Sequence, residues 1–377
     1  MSWIEPAMTR QYVLGLALSV LVFLGACSGD DGAINIKAGS ALPPAVAYVA
    51  NQASNNVSAF MINGAGALVP VAGSPYAVGT TPAGIAVSSD GALAYVANQG
   101  SNTVSGFTVN PSTGALAAVG GSPFPAGTTP FKVTVSPNRS FVYVTNQGSN
   151  DVSAFSIDAA GGLTPVSGAP FATGFTPAGI TLSPNGTFLY VANQGSNTVS
   201  AFTVNATTGA LTQVTGSPFV VGTTPVGLVV SPNGSFLYVT IQGQNFVSAL
   251  SIDATGALTP IAGSPFATGF TPSGIATTPN GSFLYVANEA SNNVSAFTVN
   301  ATTGAVAAVS GSPFPAGTTP TAVTVSPDGA FLYVANRGSN DVFAFAIDGA
   351  SGALTTVTGS PFTVGVTPRA IATPGRP

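Results

Sequence analysis

The 377-residue chain has no histidine and one cysteine, Cys27. Those two absences exclude a Ser-His-Asp triad, a Cys-His nucleophile, the usual His or Cys zinc centres and any disulfide within the chain. Charge is almost as scarce, at 5% of residues against roughly 25% in ordinary soluble domains. Seven Lys and Arg face eleven Asp and Glu. No basic face can form, which argues against a nucleic-acid partner. The one Trp, Trp3, sits at the extreme amino end.

What the chain has in quantity is punctuation and apolar surface. Gly and Pro number 46 and 30, and hydrophobic residues make up 45%. Such a chain is not disordered; it suits many short strands joined by tight turns and fits long helices badly. One unit then recurs seven times. An aromatic-led strand, mostly YVAN, begins at Tyr48, Tyr95, Tyr143, Tyr190, Tyr238, Tyr285 and Tyr333, at alternating spacings of 47 and 48. Thr-Pro and Gly-(Ser/Ala)-Pro landmarks each recur seven times as well, from Pro82 to Pro368 and from Pro75 to Pro361.

Each unit reads as four strands. In residues 177–221, AGITLS leads through the Ser183-Pro184-Asn185-Gly186 turn into TFLYVAN, then TVSAFTVN, then ALTQVTGSPF. Aromatic and β-branched residues fill the strands, and the first two are apolar on both faces. Seven four-stranded units of this length predict an all-β, seven-bladed β-propeller with antiparallel blades over residues 45–374. The first unit lacks its Thr-Pro strand while the chain ends in TPRAIAT. The C-terminal strand should therefore close the first blade. A Pro on each outer strand would blunt pairing at seven open edges.

The amino end reads as an address. Residues 13–26 form an uncharged apolar run behind Arg10, too short to span a bilayer comfortably. Leu24-Gly25-Ala26-Cys27 at its end resembles the lipobox of bacterial lipoproteins. Glu5 is unusual ahead of such a run, and Met8 offers an alternative start. The resemblance implies a signal peptide at 1–26, lipidation of Cys27 and a flexible polar tether through residue 44. It also implies a cell-envelope protein held to a membrane by its lipid, sorted to the outer membrane because Ser28, not Asp, follows the cysteine.

Tyr-Val-(Ala/Thr)-Asn following P-x-G-I-(A/T)-(V/L)-S-P-(N/D)-G resembles the YVTN-type repeats of the lactonase-like seven-bladed propellers. That group includes 6-phosphogluconolactonases and a muconate-lactonizing enzyme. The resemblance covers all seven units and implies the same fold. It also implies hydrolysis of small lactones or sugar acids in a top-face channel, although those enzymes lean on a His that this chain lacks.

In near-identical repeats, function should show as departures from the consensus. The loop after the second strand carries Gln52, Gln99, Gln147, Gln194 and Gln242 in five units, but Glu289 and Arg337 in the last two. After Thr-Pro most units place a small or apolar residue; the closing strand has Arg369 and the third unit has Phe131-Lys132. Glu289, Arg337 and Arg369 should fall on consecutive blades of one face. They form a candidate anion site, with Lys132 as a further ligand-binding residue and Glu289 as a candidate general base. The bland reading is a solvated ion pair that settles the last blade contact. Asn150-Asp151 and Asn340-Asp341 read as turn chemistry rather than a calcium loop, so neither a metal nor a cofactor is expected. The function these features favour is a lipid-anchored binding or scaffold module for an anionic small molecule, or an envelope protein or polysaccharide. The alternative is a lactonase-like hydrolase.

Overall fold

The computed structural model describes residues 45–374, and Cys27 and the expected leader and tether lie outside them. The described chain forms seven antiparallel sheets arranged around a central channel. Each blade runs inner, second, third and outer strand from the channel to the rim. In the fourth blade these are Pro177–Leu182, Phe188–Asn193, Thr198–Val204, and an outer strand in two pieces, Leu211–Gln213 and Phe219–Val220. Both outer pieces pair with the third strand.

The break in the outer strand departs from the single run ALTQVTGSPF. The Ser217 N–H donates to the Val214 carbonyl at 3.0 Å, and Gly216 has φ 86°. The chain turns away there, and the Ser217 hydroxyl accepts the Ala201 N–H at 2.9 Å in place of a strand carbonyl. Pro218, with no N–H to offer, lies between the two pieces.

The second strands are the core. The seven second-strand tyrosines, Tyr48, Tyr95, Tyr143, Tyr190, Tyr238, Tyr285 and Tyr333, are fully buried. Each phenol donates to a carbonyl in the hairpin turn of the next blade: Tyr48 to Gly114 at 2.7 Å, Tyr190 to Gly256 at 3.1 Å and, across the closure, Tyr333 to Gly66 at 2.9 Å. The same aromatic therefore packs one blade and stitches it to its neighbour. Burial pushes every one of these phenols up; Tyr238 reaches about 12.

Closure is as the repeat count requires. Pro368–Ala372 is the inner strand of the first blade and pairs antiparallel with Val46–Asn51, with Tyr48 opposite Ala372 and Ala50 opposite Ala370. It sits between the inner strands Pro82–Val87 and Pro320–Val325 of the neighbouring blades. On the opposite end from the channel mouth, Arg139 occupies a turn position at φ 60°, where the equivalent residues are glycines such as Gly91 and Gly186. Its guanidinium pairs with Asp90 of the preceding blade, which offsets part of that backbone strain.

Candidate functional site

The Thr of every Thr-Pro sits in the left-handed region, φ 48° to 54°, an uncommon place for a β-branched residue. Two contacts hold it there. An Asn side chain of the preceding blade accepts its N–H, as Asn55 does for Thr81 at 2.7 Å. Its own carbonyl accepts the N–H of the residue after the YVAN strand: Gln99 to Thr81 at 3.0 Å, Glu289 to Thr271 at 3.0 Å, Arg337 to Thr319 at 2.9 Å. Thus each strained Thr fixes one loop residue over the channel mouth.

Seven such residues ring the mouth, one per blade: the five glutamines, then Glu289 and Arg337. With Phe131, Ser273 and Arg369 they line a cavity of about 370 Å³. The glutamines form a neutral arc. Gln52 Nε2 donates to Gln99 Oε1 at 3.3 Å, and Gln99 Nε2 to Gln147 Oε1 at 3.4 Å. The charged arc follows: Arg337 Nη2 lies 3.9 Å from Glu289 Oε2, with the Glu289 side chain only 15% exposed. Arg369 enters from the closing strand, and burial lowers its affinity for the proton while Glu289 opposes that effect.

Beneath the mouth lies a second cavity of about 150 Å³, the throat, lined by residues of the inner strands. Phe131 packs between Ala83 and Ala178 on its wall. Arg369 Cζ and Lys132 Nζ both approach the Phe131 ring, 5.4 and 5.5 Å from its centroid, a favourable cation–aromatic arrangement. Desolvation and then the Arg369 charge hold the Lys132 amine down to about 7, although Glu289 favours the protonated form. Ser273 and Thr321 also line the throat, but their hydroxyls donate to the carbonyls of Thr321 and Pro368. They knit adjacent inner strands and are not free nucleophiles.

The four residues singled out from sequence, Lys132, Glu289, Arg337 and Arg369, thus line two connected cavities that share Phe131 and Arg369. The sequence reading passed over Phe131 as a wall shared by two cations. It also treated the glutamines as mere consensus, when they complete the mouth. The Asn-Asp pairs are occupied locally: Asp151 and Asp341 accept Asn146 and Asn336 Nδ2 at 2.6 and 2.7 Å, and Asn340 accepts the Thr367 N–H at 2.7 Å.

This geometry has relatives. A family profile described as "Lactonase, 7-bladed beta-propeller" matches residues 44–130, 122–227, 221–313 and 306–375. No curated protein matches the chain in sequence. Among solved structures, a putative 6-phosphogluconolactonase from Bacteroides uniformis is 22% identical with a TM-score of 0.76, covering 87% of this chain and 98% of its own. The periplasmic gluconolactonase of Pseudomonas aeruginosa is 21% identical with a TM-score of 0.73, covering 88% and 99%. A hydrazine synthase chain from Kuenenia stuttgartiensis, 20% identical with a TM-score of 0.62 over 84% and 99%, shares the architecture too. At these identities the likeness to solved structures speaks for the fold alone.

Proposed function

The chain belongs to the seven-bladed lactonase propeller family, and we propose that its channel mouth hydrolyses a small, acid-bearing lactone. The observation that carries this is the gathering of Glu289, Arg337 and Arg369 around one cavity in a chain with 5% charged residues. Among the described residues, the one glutamate and two of the three arginines stand at this opening.

The chemistry needs only these groups. Glu289 takes a proton from a water as that oxygen adds to the lactone carbonyl carbon. Arg337 and Arg369 stabilise the negative charge that develops on the carbonyl oxygen and hold the acid group of the substrate. Collapse of the adduct breaks the bond to the ring oxygen, which takes the proton back from Glu289 and leaves an open hydroxy acid. The neutral glutamine arc offers amide donors and acceptors to sugar hydroxyls.

Lactone-hydrolysis assays on purified protein, with neutral and acid-bearing sugar lactones, test this reading. Turnover should favour the acid-bearing substrates and vanish in Glu289→Gln. Equal rates for wild type and variant would refute it. The proposed location is the cell envelope, through a lipid on Cys27. Cys27→Ser should then release the protein from the membrane fraction, or leave the leader uncleaved; a variant that fractionates like wild type, with no acyl mass on Cys27 of the wild-type protein, would contradict the anchor.

A further inference from the structure

The hydrolytic step above has no use for the amine of Lys132. Six of the seven inner strands carry Gly or Ala at this place: Gly84, Gly179, Gly227, Gly274, Ala322 and Ala370. The reason is crowding between inner strands. A Cβ built at Gly179 would fall 2.2 Å from the Val226 carbonyl oxygen, and one at Gly227 would fall 2.3 Å from that of Ser273. Only the third blade departs, and the long side chain of Lys132 lines the throat there.

Among the described residues Lys132 Nζ has one hydrogen bond, to the Ala83 carbonyl at 3.4 Å, and no carboxylate at ion-pair distance. The side chains lining the throat include the apolar Leu228, Ile275 and Val323, with polar backbone groups of the glycines exposed between them. Arg369 shares the Phe131 ring with it. An amine enclosed beside a second cation gives up its proton more readily than an ordinary lysine, which raises its neutral, nucleophilic fraction.

We infer that Lys132 is a carbonyl-capturing amine, forming a reversible imine with a small 2-oxo acid whose carboxylate is held by Arg369. The amine lone pair adds to the carbonyl carbon and its proton passes to the oxygen, giving a carbinolamine. Loss of that hydroxyl together with the remaining amine proton as water breaks the C–O bond and completes the C=N bond, with no oxidant or reductant required. Arg369 suits the carboxylate because its planar fork offers two parallel donors. The charged groups that bear on the amine are Arg369 and Glu289, with Arg337 further out at the mouth. The inference rests on the channel being a ligand site, not on lactone hydrolysis.

The chain has two lysines, Lys37 and Lys132, so capture can be located without ambiguity. Full-length protein is incubated at pH 7 with pyruvate and sodium cyanoborohydride, and reduced adducts are mapped by peptide mass spectrometry. Lys132 should be labelled at least about 10-fold faster than Lys37, because an amine titrating near 7 has a neutral fraction roughly a thousand-fold that of an ordinary lysine. Lys132→Arg keeps the positive charge and should remove the fast adduct. Labelling of Lys132 no faster than Lys37 would overturn the inference. With Arg369→Gln, labelling by pyruvate should fall more than labelling by acetaldehyde; equal losses would overturn the carboxylate assignment. Because the readout is a covalent adduct, its failure leaves the hydrolytic reading standing, and a failed lactone assay leaves this one standing.

Discussion

The channel mouth has two halves built on the same backbone. Blades one to five present Gln52, Gln99, Gln147, Gln194 and Gln242, while blades six and seven and the closing strand present Glu289, Arg337 and Arg369. Both halves hang from the same strained Thr and the same loop hydrogen bonds. The difference lies wholly in side chains at positions that the fold leaves free. Residues shared by all blades build the ring; residues that differ among blades set its chemistry.

If that division holds, damage to the shared part should be structural and severe. Deleting residues 367–377 removes the ladder partner of Val46–Asn51 and bares the flanking inner strands. Each buried backbone group left unpaired costs about 1–3 kcal/mol, and the melting temperature should drop by more than about 10 °C or the transition should lose cooperativity. Melting within a degree or two of full length would show that the ring does not depend on this strand.

The next effect has the opposite sign and comes from the exceptional part. Lys132 titrates near 7 in the folded protein but near 10.4 when unfolded. Below pH 7 both states bind the proton, and the full penalty of holding a charge in the throat is present. Between about 7 and 10 the unfolded chain binds a proton that the folded chain has shed, so stability should rise with pH. Above pH 10 the buried tyrosines, all shifted upward, keep protons that the unfolded chain loses, and the trend should reverse. Lys132→Met should therefore stabilise the protein at pH 7 by roughly 2–4 kcal/mol, with the gain shrinking towards pH 10. Melting curves across that range in both proteins check the sign.

A milder structural loss should follow Tyr190→Phe, which leaves the Gly256 carbonyl without its buried donor. The cost is about 1–3 kcal/mol, read by denaturant titration, with lactone turnover unchanged. The smallest stability effect belongs to Glu289→Gln. Its ion pair is 3.9 Å long and Arg337 is 38% exposed, so less than about 1 kcal/mol should be lost.

The blades were legible because periodicity records local environment. Tyr on each second strand, Pro after every strained Thr and Gly at nearly every inner hairpin turn repeat wherever the same packing repeats. Lys132, Glu289, Arg337 and Arg369 were legible as breaks in that pattern. The throat was not. Its width depends on how closely inner strands such as those of Gly179 and Val226 approach, and that is set by ring closure among residues far apart in sequence. The meeting of Lys132 and Arg369 on Phe131 has the same origin, since the third blade and the closing strand flank the second blade and come together only through ring closure. The split outer strand escaped for a local reason: nothing in ALTQVTGSPF announces that the Ser217 hydroxyl takes a place in the ladder.

One variant tests the division most directly. Glu289→Gln combined with Arg337→Gln extends the neutral glutamine arc to all seven blades. Hydrolysis of an acid-bearing sugar lactone and thermal melting are measured on the same preparations. The melting temperature should stay within about 3 °C of wild type, since only one weak ion pair is lost, while turnover should disappear. A variant that still hydrolyses the lactone at the wild-type rate would contradict the assignment of chemistry to the charged arc.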